Sequence, residues 1–165
     1  MKPAEVSTPS DTTVMVKRDF EASARLVWRA YTEPEIFTRW CSGPPWSMPV
    51  CEMDVRPGGK YTWRWRNDES GDEFGFCGEF REIEIDRKIV HTQAFDRGNM
   101  DLGMGEEGTV ITVTFDEKEG VTTVVTLFEY SSKEDRDEAL STGMTDGMEL
   151  SYSKLDEVLI GNGKL

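Results

Sequence analysis

Tyr61, Trp63 and Trp65 alternate with Thr62, Arg64 and Arg66. A strand through this segment therefore carries large rings on one face and polar or cationic groups on the other. The sheet it belongs to has one wet face and one aromatic face. Material to cover the aromatic face comes at the far end of the chain, where Met144, Met148, Tyr152, Leu155 and Leu159 recur at helical spacing and Glu149, Lys154, Asp156 and Glu157 are assigned to the outer side.

Between these landmarks the pattern alternates between strand and turn. Residues 13–20 suit a first strand, with Val14, Val16 and Arg18 on one face. Ser23 is placed to cap a helix bearing Leu26, Val27, Ala30 and Tyr31, and Pro34 opens a second short helix running to Trp40. The paired prolines in 41–47 predict a loop carrying Trp46. Strands are predicted over 50–56, 60–66, 74–85, 88–95, 109–116 and 121–130, separated by turn residues such as Gly58-Gly59 and Asp86-Arg87. Helix resumes at 133–140; Gly143 and Gly147 interrupt an otherwise continuous final helix, a feature that close packing against another element would explain. Strand, two short helices, six strands and a long helix argue for an α+β fold in one domain spanning 12–162, with 1–11 a disordered N-terminal segment.

Composition narrows the function. A net charge of −13 repels phosphate backbones and anionic lipid, which argues against nucleic acid and membrane partners. The start of the chain lacks an apolar signal core and no stretch is long enough to span a bilayer, so a cytoplasmic location is expected. Cys41, Cys51 and Cys77 form no Cys-x-x-Cys pair, and with His91 as the sole histidine no metal site or cofactor is expected; the thiols are read as reduced and mostly buried.

Several pieces in order resemble the activator of heat-shock chaperone ATPase homologue family. They are Leu26-Val27-Trp28-Arg29-Ala30, Pro34-Glu35, Trp40, Asp54-Val55-Arg56-Pro57-Gly58-Gly59-Lys60-Tyr61, Gly78-Glu79-Phe80, Lys88-Ile89-Val90 and Gly143-Met144-Thr145-Asp146-Gly147-Met148. The resemblance implies the helix-grip fold of the START-like (SRPBCC) superfamily, a curved antiparallel sheet wrapped around a long C-terminal helix with a hydrophobic cavity between them. It places His91, which alternates with Ile89, Gln93 and Phe95, on the inward face.

On that basis the candidate ligand-binding residues are Trp40, Trp46, Trp63 and Trp65, whose faces suit flat or amphipathic molecules, and Met53, Met144 and Met148, whose thioethers make an adaptable wall. Phe76, Phe80, Phe95, Tyr152 and His91 complete the set. For each, ordinary core packing is the competing reading, and His91 without a spaced acid partner reads as a satisfied structural histidine before a proton shuttle. Asp54 with Arg56 and the acidic run 134–138 are read as turn and helix-start features. The preferred function is non-catalytic binding of a small apolar or amphipathic ligand, in a stress-associated role. The alternatives are a cyclase- or dehydratase-like enzyme acting on an aromatic or polyketide substrate, with His91 moving a proton, and a co-chaperone binding a chaperone ATPase. Exposed edge strands also allow a homodimer.

Overall fold

Val14, Val16, Arg18 and Phe20 are all buried while Lys17 and Asp19 face solvent, so β2 (Thr13–Phe20) lies half in the core, as a period of two dictates. The computed structural model describes residues 3–96 and 109–161. Along the chain β1 (Glu5–Ser7) and β2 are followed by α1 (Ala24–Thr32) and α2 (Pro34–Cys41). Six further strands come next: β3 (Trp46–Met53), β4 (Lys60–Asn67), β5 (Glu73–Glu84), β6 (Lys88–Asp96), β7 (Thr109–Lys118) and β8 (Val121–Glu129). Helices α3 (Lys133–Ser141) and α4 (Met144–Ile160) close the fold. The strands form one antiparallel sheet in the order β1-β2-β8-β7-β6-β5-β4-β3, an α+β arrangement in which α1 and α2 carry the chain from one half of the sheet to its other edge.

Two register shifts punctuate the ladders, one in β3 between Ser47 and Val50 and one in β5 between Phe80 and Glu82. An inserted residue bends its strand and increases the local twist, which curves a sheet around a helix. The expected loop at 41–47 occupies 42–45 and ends before Trp46, where β3 begins. Trp46 and Ser47 already pair with Asn67 and Arg66, and the bulge absorbs Pro49, which has no N–H to give to a ladder. Within the segment expected to be disordered, Glu5–Ser7 forms β1 paired with β2, and the Ala4 amide donates to Glu149 Oε2 at 2.8 Å. Residue 162, the expected domain end, lies outside the described residues.

Helix ends follow the local chemistry. Ser23 Oγ accepts from the Leu26 amide at 3.3 Å, and Ser132 Oγ accepts from Asp135 at 3.1 Å with Glu134 and Asp135 in the first turn of α3. Between α3 and α4 the chain turns at Gly143, whose φ of 80° is open to glycine at little cost. That single residue divides the terminal helix in two.

The core and the hollow occupy different parts of the molecule. Leu155 and Leu159, on the C-terminal half of α4, are buried together with Val14, Val16, Val27 and Val124. Truncation of such a leucine to Ala costs about 2–5 kcal/mol, so this half fixes the helix on the sheet. The N-terminal half of α4 instead stands over open space.

Candidate functional site

The open space is a cavity of about 510 Å³ between the inner face of β3–β8, α2 and the first half of α4. Trp63 and Trp65 look into it from β4, and Phe76 and Phe80 from β5, because the strand period puts alternate residues on the inner face. Trp46 and Met53 come from β3, His91 from β6, Trp40 from α2, and Met144, Met148 and Tyr152 from α4 at intervals of four. Phe95 is not part of this wall. It lies in an adjoining hollow of about 100 Å³ bordered by Ala139 and Thr142 near the end of α3, with its ring 5.4 Å from Phe76. Alternation along β6 carries Phe95 past the span that α4 covers.

Ring packing holds the wall in shape. Phe37 stacks on Trp63 at 4.8 Å, Trp65 stacks on Phe74 at 5.1 Å, and Tyr61 tilts against Trp63 at 4.3 Å between centroids. Two indoles are pinned through their N–H groups: Trp40 Nε1 donates to Ala30 O at 2.8 Å and Trp65 Nε1 to Cys41 O at 2.9 Å. Trp63 Nε1 is buried with no partner among the described residues. These tryptophans thus serve packing and cavity lining at once.

His91, in the wall, is joined behind it by Tyr61 and the Thr92 carbonyl. The Tyr61 hydroxyl donates to Thr92 O at 2.5 Å, a reach allowed by Gly78, where a Cβ would fall 2.1 Å from that same oxygen and 2.9 Å from the tyrosine ring. His91 Nδ1 lies 3.1 Å from Tyr61 Oη and 3.2 Å from Thr92 O. With the phenolic hydrogen already committed to the carbonyl, both neighbours of Nδ1 are acceptors, so Nδ1 carries the hydrogen and Nε2 keeps the lone pair. Burial lowers the His91 pKa to about 4, the Thr92 carbonyl opposing only in part, and the ring is neutral at physiological pH. Tyr31 and Tyr152 add hydroxyls to the wall, both held protonated by burial, and Thr126 bonds to Tyr152.

Three lining or supporting features escape a reading by periodicity. Lys154 is assigned to the outer side with its acidic neighbours, but it stands at the cavity mouth and donates from Nζ to Ser42 O at 3.2 Å. Glu149 and Asp156 are not outward either. They grip Arg18, whose side chain is 2% exposed and whose guanidinium meets Asp156 at 2.7 and 2.8 Å and Glu149 at 3.2 Å. The hydrogen bonds that Arg18 donates to Asp156 raise its pKa while burial pulls it down. The signal for this clamp was an arginine on an apolar strand face. Gly147 also lines the cavity, and a Cβ there meets nothing within 4 Å, so close packing does not account for it.

Other marked residues lie elsewhere. Arg56 donates to Asp54 at 2.8 Å across an exposed turn. Within the acidic run Arg136 is buried and bonds Ser10 O at 2.8 Å, tying down the N-terminal segment. All three cysteines are free and half-buried; burial raises the Cys51 thiol to about 11 and lifts Cys41 well above its usual range. Among the described residues no cluster of metal-binding side chains occurs, and no helix is long and apolar enough to cross a membrane.

The sequence matches the family described as Activator of Hsp90 ATPase homolog 1-like protein over residues 21–160. The chain belongs to this family. Solved structures similar to this Activator of Hsp90 ATPase homolog 1-like chain include a protein from Rhodobacter sphaeroides, with a TM-score of 0.87, 24% identity and coverage of 97% of this chain and 99% of that one. A Mycobacterium smegmatis protein aligns with a TM-score of 0.82 at 23% identity, covering 95% and 97%. One from Nitrosomonas europaea gives 0.80 at 22%, covering 96% and 100%. Identities this low establish the shared helix-grip fold and no activity. A search of curated proteins finds no match.

Proposed function

We propose that this chain binds one small amphipathic molecule in the cavity between its sheet and α4 and does not transform it. The observation that carries the reading is a cavity of about 510 Å³, within the usual range for ligand sites, walled by aromatic rings and thioethers with a few separated polar groups. Its chemistry is poor for catalysis. No Asp or Glu is among the described residues that line it, and a histidine with a pKa of about 4 is far from the value that suits proton transfer near neutrality. A cyclase-like role for His91 therefore has little to work with, whereas a neutral imidazole whose Nε2 keeps its lone pair is a good hydrogen-bond acceptor.

Titration with the neutral dye Nile red tests this. Saturable enhancement at one dye per chain is expected, lost in a Gly147→Trp variant whose indole fills the mouth while circular dichroism stays unchanged. Non-saturable enhancement, or enhancement indifferent to Gly147→Trp, would count against the reading. Family membership supports a second reading, a co-chaperone contact. An unchanged Hsp90 ATPase rate at saturating protein would remove it.

A further inference from the structure

We propose that the molecule this cavity holds is an amphipathic acid, with its apolar body among the rings and its single carboxylate on Lys154 at the mouth. The inference deepens the binding reading and rests on it. Among the described residues that line the cavity Lys154 bears the charge, and it does so in a chain whose net charge is −13. In such a protein an ammonium is expected to find a carboxylate of its own. Lys154 has none among the described residues: Glu149 and Asp156 of the same helix hold Arg18, and Glu157, one turn on, makes no ion pair with it.

The ammonium has three donors and the structure occupies one, on Ser42 O at 3.2 Å. Two remain for an incoming anion. The rim around it is cut low. Gly43 stands so close that a Cβ would lie 2.1 Å from Nζ, and Gly147 and Ser151 share the stripe of α4 that leads to Lys154. A head group at this point keeps contact with water while the attached chain or ring enters an apolar interior, which avoids burying an anion. One ammonium matches one carboxylate. A phosphoryl dianion would need more positive charge than this rim offers and would be repelled more strongly by the protein's acidic surface.

Calorimetric titration with two matched pairs, decanoate with decanol and 2-naphthoate with 2-naphthol, tests the proposal on wild type and Lys154→Met. The acid of at least one pair should bind wild type about tenfold tighter than its alcohol, the size of one charge-assisted hydrogen bond, and added salt should narrow the gap. Lys154→Met should erase the preference and leave alcohol affinity within about twofold. Lys154→Gln should behave alike, which guards against a folding artefact in either variant. Equal binding of acid and alcohol, or a preference that survives both substitutions, overturns the amphipathic acid while leaving the cavity's binding role intact. If neither member of either pair binds, both readings fall together.

Discussion

Asp156→Asn removes one oxygen charge from the clamp that ties α4 to β2, and the structure sets the size of the effect. The Arg18 side chain is 2% exposed, so its guanidinium cannot rehydrate when its partner is neutralised, and its Nε already lacks a hydrogen-bond partner among the described residues. Removing one member of a buried ion pair costs about 3–5 kcal/mol. Asp156 and Glu149 are 24% and 30% exposed and Glu149 stays in place, so a discounted loss of about 2–3 kcal/mol is expected. For a chain of this size that lowers Tm by roughly 4–12 °C. Arg18→Met should cost less, since the freed carboxylates can turn to water and the thioether fills part of the space. The double variant should resemble Arg18→Met, because once the cation is gone the amide leaves nothing unpaired. Denaturant unfolding with a constant slope reads all three. A change under about 0.5 kcal/mol for Asp156→Asn, or additive losses in the double variant, would refute the buried clamp.

His91 predicts a pH dependence. Its folded pKa of about 4 lies below the ordinary 6.5, so the unfolded chain takes up a proton that the folded one refuses. Stability should therefore fall as pH drops from about 6.5 to about 4, by up to ~3 kcal/mol, then level off for this group, and His91→Phe should lose that slope. Gly147→Ala should stabilise the fold by about 0.5–1 kcal/mol, since the added Cβ meets open space, and thermal melts will read it. Tyr61→Phe deletes the hydroxyl shared by Thr92 and His91 and should cost about 1–2 kcal/mol, with a shifted His91 signal in NMR. Cys51, with a thiol near 11, should alkylate slowly at pH 8, and rapid labelling would contradict its burial.

Much of this architecture is visible in period and punctuation. The two-residue alternation of Tyr61, Trp63 and Trp65, the cap at Ser23 and the four-residue spacing of Met144, Met148 and Tyr152 depend on neighbours along the chain, and the structure keeps them. What stays hidden depends on partners far apart in sequence. Arg18 looks misplaced on an apolar face until Asp156, 138 residues away, closes on it. Lys154 shares its helix with outward-facing Glu157, and only the approach of Ser42 and Gly43 turns it into a cavity residue. Phe95 lies in the adjoining hollow for a related reason: alternation gives its face, but where α4 stops covering the sheet is set by the break at Gly143. Trp46 joins a strand because a bulge accommodates Pro49, which no residue-by-residue preference foretells.

Native mass spectrometry of the chain purified gently from its own cells is the most direct test of an occupied hollow. The account predicts a discrete added mass of one small molecule per chain, released on denaturation and missing from Gly147→Trp. A bare chain mass from the native source, with no uptake of Nile red or the matched acids by the same preparation, would contradict it.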